Sequence, residues 1–577
     1  MTRSPSELLA AAQAWIAGDP DPLTRAELVA LCDARDLAAL EERMRGLSFG
    51  TAGLRGAVGA GSGRMNLAVV IRTAFGIARY LAEQPDSQDR PIVLGFDARP
   101  TSRAFAEASA GVLLAAGYSV VAFAGPTATP LCAFLGRELG ASVTIVVTAS
   151  HNPRGDNGYK VYGPDAVQIT SPVDVAIARH ITQAPAAAHV PRRAVDFDDA
   201  PSEGLTLRSA NESARYFSAI SAAIPASAAG RELSIVHSAL HGVGTAPMLR
   251  TLADAGFAHV HSVSEQAEPD GTFPTTAFPN PEEPGTLDLA LAEANRRSAA
   301  LLLVSDPDAD RLAVAARLDG ALAVLDGNQL GALLADYQLS LSPPTPTPLV
   351  LSSVVSSPLV AQIAAARGGW HERTHTGFKW LWSAALELER RGRGRFCFAY
   401  EEALGYSVFA GVRDKDGIAA GRAVAELAAR LVSRGAGLFD RLYELYLEHG
   451  LWVSAARSIG LTGADGAARV DAGLSALTSG GAKLGDAPLV RWVDYRSSEP
   501  ARPPWLGAAA LVELELANGE RLFVRPSGTE PKLKLYGHVR GAVTSRAHFG
   551  RDLLEARRSA AALLEALEKA LNLKEAR

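Results

Sequence analysis

The chain has 577 residues, of which 48% are hydrophobic and 21% charged, with a formal net charge of −5. That is enough chain for about three to five domains, and it carries no global basic field of the kind that gathers nucleic acid. No apolar run approaches the roughly 18 residues that a membrane helix needs, and the opening Met-Thr-Arg-Ser-Pro-Ser-Glu lacks an apolar signal core, so a protein without a membrane partner is expected.

Residues 6–45 read as helical, with Leu and Ala at helical spacing and a break near Gly18 to Pro22. The glycine-rich segment Ser48-Phe-Gly-Thr-Ala-Gly-Leu-Arg55-Gly56 follows. A helix is expected over 65–83, then the strand Ile92–Phe96, ended by Asp97-Ala-Arg99-Pro100. A helix over 103–116 and strands at 119–123 and 143–147 continue the alternation, which predicts an α/β layer fold. The run at 143–147 is short, β-branched and bounded by breakers, so it reads as a buried strand. It leads into Thr148-Ala-Ser150-His151-Asn152-Pro153, where Asn-Pro forces a turn. A serine preorganised at a strand tip is a candidate covalent carrier.

An Ala- and Pro-rich stretch at 183–202 sets the first boundary, giving a unit at 1–202. The second unit, 203–325, opens on Leu233-Ser-Ile-Val-His237 and reaches the apolar run 299–304, followed by Asp306-Pro-Asp308-Ala-Asp310-Arg311. Three carboxylates at alternate positions on a short loop converge on one hard cation and suit Mg2+, which leaves positions open to phosphate oxygens. The third unit, 326–448, contains a stiff proline connection at 341–348, a strand at 349–355, Thr376-Gly377-Phe-Lys379-Trp, Tyr400-Glu401-Glu-Ala-Leu-Gly405 and Arg413-Asp-Lys415-Asp-Gly417. Within it, Arg390-Arg-Gly-Arg-Gly-Arg395 is short and lacks interleaved aromatics, so it reads as a solvated turn rather than a nucleic-acid tract.

The fourth unit, 449–577, has strands near 511–516 and 521–524 and a helix over 546–572. Between them, Arg525-Pro-Ser527-Gly528-Thr529-Glu-Pro-Lys532 is built like an anion cradle, with inward backbone N–H groups, hydroxyls and an arginine. The three cysteines, Cys32, Cys132 and Cys397, are odd in number and widely spaced, which argues against disulfides or a zinc site and fits a reducing cytoplasm.

These motifs, in this order from about residue 48 to 537, resemble the α-D-phosphohexomutase superfamily of serine-phosphate sugar mutases. The longer forms most resemble the branch holding phosphoglucomutase/phosphomannomutase, phosphopentomutase and glucose-1,6-bisphosphate synthase. The resemblance implies three related α/β domains and a smaller C-terminal α+β domain around a central cleft. It implies an isomerase acting on a small-molecule sugar phosphate, glucose 1-phosphate and glucose 6-phosphate being the first pair. Ser150 would carry the phosphoryl group through a sugar 1,6-bisphosphate, with Mg2+ held by Asp306, Asp308, Asp310 and the serine phosphate.

By the same resemblance, Arg55 and Arg311 steady the charge, and either Lys160 or His151 handles the proton. For a lysine to act as the base its pKa must be depressed. Thr376, Gly377, Lys379, Glu401 and Lys415 would hold the sugar or its phosphate. Arg525, Ser527, Gly528 and Thr529 would hold the phosphate that is not transferred. One departure stands out: Ala403 occupies the place of a serine common in hexose mutases, which keeps pentose phosphates open as substrates. A metal-dependent phosphatase is the rival of a different class, but it would need a second ligand cluster. A purely binding protein would need neither Ser150 nor the aspartates. No sequence feature fixes an oligomeric state.

Overall fold

The β-branched run at 143–147 forms the expected strand and is buried at every position. Alternate residues of a strand face opposite ways, so both of its faces are covered. A computed structural model of the protein describes residues 3–47, 53–199, 202–209, 213–460, 466–479, 483–497, 499–526 and 532–571, with backbone alone at 466–468. The chain forms two compact units, Met1–Ala315 with Gly405–Ala429, and Ala316–Leu404 with Arg430–Arg577.

In the first unit, six strands lie in the order Leu54–Ala57, Asp156–Tyr162, Val143–Val147, Ile92–Phe96, Val120–Phe123 and Leu205–Arg208. The last four are mutually parallel, while Asp156–Tyr162 runs back against its neighbours. The turn forced by Asn152-Pro153 therefore leads into an antiparallel strand that the sequence reading had left unassigned. Helix Leu67–Ala82 joins Leu54–Ala57 to Ile92–Phe96, helices Ser102–Ala115 and Thr129–Glu138 link the parallel strands 92–96, 120–123 and 143–147, and the first helix is capped by the Asn66 side chain, which accepts from Val69 N.

The expected N-terminal helical stretch divides into Pro5–Gly18, Pro22–Asp33 and Leu37–Arg43, each opened by a side-chain cap at Ser4, Asp21 and Asp36. These helices bury Leu8, Leu28 and Leu40 in a cluster of their own that also takes in Ala60. Trp15 packs against Ala68, Ile71 and Ala74 of the following helix.

A second layer in this unit is built on Leu301–Ser305, buried throughout. It lies between Leu312–Leu318 and Ile235–Ser238, with Val260–Ser262 beyond. Ile235–Ser238 is parallel to both Leu301–Ser305 and Val260–Ser262. The two buried strands, 143–147 and 301–305, deliver the serine loop and the aspartate loop.

In the second unit, Pro348–Ser353 lies between Trp370–Thr374 and Arg395–Glu401, all parallel. A β-rich C-terminal layer has six strands in the order Leu451–Gly460, Lys532–Gly541, Arg521–Pro526, Val512–Leu516, Ala487–Asp494 and Lys483–Leu484. The paired strands there are antiparallel, and helix Phe549–Ala570 packs on them. The architecture is thus three α/β/α domains followed by a β-rich domain. Among the described residues, no helix is long and apolar enough to cross a membrane.

Helix Thr129–Glu138 presses on the strands through small residues. A Cβ added at Gly136 would lie 1.8 Å from Thr144 Oγ1, and one at Gly95 would lie 2.1 Å from Cys132 Sγ. Gly136→Ala is expected to destabilise the fold by about 1–3 kcal/mol through overpacking, read as a lower denaturant midpoint at unchanged slope. A midpoint equal to wild type would mean the helix can lift off at no cost.

Candidate active site

The loops at the ends of Val143–Val147 and Leu301–Ser305 meet. Ser150 Oγ donates to Asp306 Oδ2 at 2.7 Å and lies 3.1 Å from His151 Nδ1. Ser150 sits in the left-handed region at φ 51°, uncommon for a residue with a side chain. Asp306, Asp308 and Asp310 are each fully buried, and one oxygen from each lies within 4.8 Å of the other two. Ala309, at φ 58°, folds the loop between them. The neighbouring loop leaves no room for movement, since a Cβ at Gly242 would fall 2.3 Å from Pro307 Cα and Val243 N donates to Pro307 O.

Each aspartate has a different set of donors. Asp306 Oδ1 accepts from Arg311 N at 2.9 Å. Asp308 Oδ2 accepts from Thr129 Oγ1 at 2.7 Å and Lys160 Nζ at 2.6 Å. Asp310 Oδ2 accepts from the same Lys160 Nζ at 2.7 Å, with Lys415 Nζ at 3.3 Å. Asp308 Oδ1 and Asp310 Oδ1 are buried without a hydrogen-bond partner among the described residues. Carboxylate oxygens left over in a dry, all-oxygen cluster fit a hard divalent cation.

These neighbours set the protonation states. Burial, together with Asp308 and Asp310, pushes the Asp306 carboxyl well above its usual range. Burial and Asp310 also press Asp308 upward, but Lys160 and Thr129 outweigh them and hold it low. Asp310 is likewise held low against burial, by Lys160, Lys415 and Arg311. Burial alone would lower Lys160, yet Asp308, Asp310 and Asp414 raise it above an ordinary lysine. These carboxylates move the Lys160 pKa upward, opposite to the depression that base catalysis would require. His151 is the reverse case, held neutral by burial and by the charges of Arg311 and Arg55.

Arg55 Nη1 donates to Asn152 Oδ1 at 2.9 Å, on the turn after the serine. Arg311 Nη1 lies 3.6 Å from Glu282, and the His151 ring stacks on Phe278 with centroids 6.5 Å apart. Lys415 lies in the first unit, its Nζ 3.3 Å from both Asp310 and Asp414. Asp414 in turn accepts from Tyr162 Oη at 2.7 Å and Gln168 Nε2 at 2.6 Å. Thr129, Tyr162, Gln168, Phe278, Glu282 and Asp414 were not singled out from the sequence. Asp414 alone had a signal, its place between Arg413 and Lys415.

In the second unit, Glu401 accepts from Gly377 N, which brings the Thr376-Gly377 turn beside the glutamate. Gly377 has φ 122°, a region that favours glycine. Lys379 is buried, with Nζ 5.8 Å from the Trp380 ring centroid. Arg525 lies on strand Arg521–Pro526, in register with Lys534. Ser527, Gly528 and Thr529 lie outside the described residues.

Residues 46–188, 214–319 and 326–446 match, in turn, the alpha/beta/alpha domains I, II and III of the phosphoglucomutase/phosphomannomutase family. The chain is 37% identical over 445 residues to a phosphoribomutase of Saccharomyces cerevisiae, covering 72% of this chain and 70% of that one. It is 34% identical over 535 residues to a Homo sapiens phosphopentomutase, covering 85% of each. In fold it is similar to the open form of the Paramecium phosphoglucomutase parafusin, with a TM-score of 0.68 and 16% identity, over 92% of this chain and 96% of that one.

Fold and relatives together define the class, an isomerase that shifts phosphate within a sugar phosphate. The chain belongs to the phosphoglucomutase/phosphomannomutase family of the α-D-phosphohexomutase superfamily. Lys160 neutralises two of the three aspartates at once, so its loss unbalances the site. Lys160→Met is expected to lower kcat by roughly a hundredfold or more, the scale of losing one preorganised electrostatic donor, in a steady-state mutase assay. Wild-type kcat in that variant would remove Lys160 from the chemistry.

Proposed function

We propose that the protein interconverts glucose 1-phosphate and glucose 6-phosphate through phosphorylated Ser150 and a sugar 1,6-bisphosphate. The observation that carries the reading is the 2.7 Å contact of Ser150 Oγ with Asp306 in a loop of three buried carboxylates. A phosphoserine carries about −1.5 to −2 charge, and beside those carboxylates it is tolerable only with a counter-ion. Asp306, Asp308, Asp310 and a Ser150 phosphate oxygen would hold Mg2+, which when bound supplies neutralisation of the phosphoryl charge.

In the first half-reaction a sugar hydroxyl oxygen bonds to the phosphorus of phosphoserine and the P–Oγ bond breaks. Its proton passes to a nearby base; His151, held neutral and 3.1 Å from Ser150 Oγ, is suited to that task. Lys160, whose pKa the aspartates raise against burial, donates to phosphoryl oxygens, and Arg55 and Arg311 steady the same charge. The bisphosphate turns over, and Ser150 Oγ recovers a phosphoryl from the other position.

One task falls to each of the four segments: the carrier serine to 1–202, the cation loop to 203–325, sugar recognition to 326–448 and phosphate recognition to 449–577. Thr376, Gly377, Lys379 and Glu401 bind the sugar hydroxyls, while Lys415 supports the aspartates as well as the substrate. Arg525 with Ser527, Gly528 and Thr529 grips the phosphate that stays on the sugar. The free cysteines Cys32, Cys132 and Cys397 fit work in the cytoplasm, with a small-molecule sugar phosphate as the partner.

A second substrate is favoured by Ala403 and by the phosphoribomutase and phosphopentomutase names of the relatives. With no hydroxyl at that position, pentose 1-phosphates are accepted as well as glucose 1-phosphate. Two experiments test the proposal. Chelation is expected to abolish turnover, Mg2+ to restore it, and Ser150→Ala to be inactive and free of the phosphoserine found in wild type by peptide mass spectrometry. Full activity of Ser150→Ala, or phosphate release without an isomer, would replace the relay with another reaction.

On a panel of sugar 1-phosphates, Ala403→Ser is expected to raise the glucose-to-ribose ratio of kcat/KM by roughly two- to tenfold. That is the scale of one net hydrogen bond of about 0.5–1.5 kcal/mol. An unchanged ratio would show that this position does not read the sugar.

A further inference from the structure

Arg99 follows the strand Ile92–Phe96, three residues beyond its end, and is 3% exposed. Nη2 donates to Ser150 O at 2.7 Å and Asn152 O at 2.6 Å, and Nη1 donates to Pro153 O at 2.8 Å and Asp156 O at 2.9 Å. Nε lies 3.2 Å from Asp97 Oδ2, and the guanidinium carbon stands 5.1 Å from the Phe273 ring centroid. A single side chain thus supplies donors to four main-chain carbonyls of the serine loop.

Asp97 acts on the same loop from its amide side. Its Oδ2 accepts from Thr148 Oγ1 at 2.7 Å, and Thr148 Oγ1 accepts from Ser150 N at 2.8 Å. Its Oδ1 accepts from Ser102 Oγ at 2.5 Å and from Arg99 N at 3.0 Å. The N–H and the C=O of Ser150 are therefore both tied to one buried ion pair, which leaves the hydroxyl directed at Asp306. A left-handed conformation at a non-glycine residue persists only where its surroundings over-determine it, and these bonds do so.

We infer that Arg99, backed by Asp97 through Thr148, is the positioning residue that fixes the Ser150 hydroxyl for phosphoryl transfer. The inference rests on the phosphoserine reading above and adds to it the group that holds the carrier still. Arg99 touches no reacting atom. Its charge is matched by Asp97, and its forked donors serve the main chain. Lysine cannot replace it, because an ammonium is a point donor without the planar fork that spans four carbonyls. Misplacement of a reacting atom by about 1 Å costs on the order of a hundredfold in rate.

Arg99→Lys in the full-length chain is expected to lower kcat at least tenfold while KM for the sugar phosphate changes less than threefold. Deuterium uptake should rise in the peptide spanning 148–157 and stay unchanged in the peptide spanning 301–312. Wild-type kcat, or equal losses in kcat and KM without a local rise in uptake, overturns the assignment. If Arg99→Lys does not fold, Thr148→Val cuts the relay from Asp97 to Ser150 N and is judged by the same two readouts. Activity retained in Ser150→Ala would sink the phosphoserine reading instead, and the uptake comparison would still decide whether Arg99 holds the loop.

Discussion

Three carboxylates buried on five consecutive residues, Asp306 to Asp310, are the constraint around which the first unit is organised. Two like charges 4 Å apart repel by about 4 kcal/mol even at an effective dielectric of 20, so the loop cannot stand without compensation. The compensation comes from far along the chain. Lys160 arrives on an antiparallel strand, in register opposite Val146. Thr129 arrives at the start of a helix. Lys415 arrives on residues 405–429, which rejoin the first unit after the chain has built much of the second. That return, odd as topology, is sensible as electrostatics.

The same constraint separates the two candidate proton carriers. Lys160 contacts Asp308 and Asp310 while His151 lies beside Ser150, and carboxylates raise the pKa of the first as burial and arginines lower that of the second. Groups whose surroundings drive their protonation in opposite directions are equipped for opposite tasks. In the second unit Glu401 anchors the Thr376-Gly377 turn by accepting from Gly377 N. A strap from the C-terminal region holds that turn from outside: His375 N donates to Trp505 O, and Trp505 Nε1 donates to Glu372 Oε1 at 3.0 Å.

Much of this was legible in the sequence. The strands at 92–96 and 143–147 have the predicted bounds, because β-branched runs between breakers have few alternatives. The helix expected over 103–116 is found at Ser102–Ala115. The convergence of Ser150 with the aspartates was implied by the family resemblance of the two loops, each carried at the end of a buried strand. The strand Asp156–Tyr162 was missed because Asn-Gly-Tyr-Lys carries no apolar run, and its polar residues are buried against carboxylates found only in three dimensions. For the same reason Lys160 could be named but its raised pKa could not, since that depends on Asp308 and Asp310 about 150 positions away. Arg99 read as punctuation after a strand, because nothing local shows that its donors reach the loop at 150–156.

The contact of Gly136 with Thr144 bears on which substitutions such a chain accommodates. Thr144 lies on the strand whose end leads into the serine loop, so bulk gained on the helix bears on the element that positions residue 150. A methyl group enters at 136 at least cost where 144 carries a smaller side chain, so two positions eight apart in sequence share one packing volume.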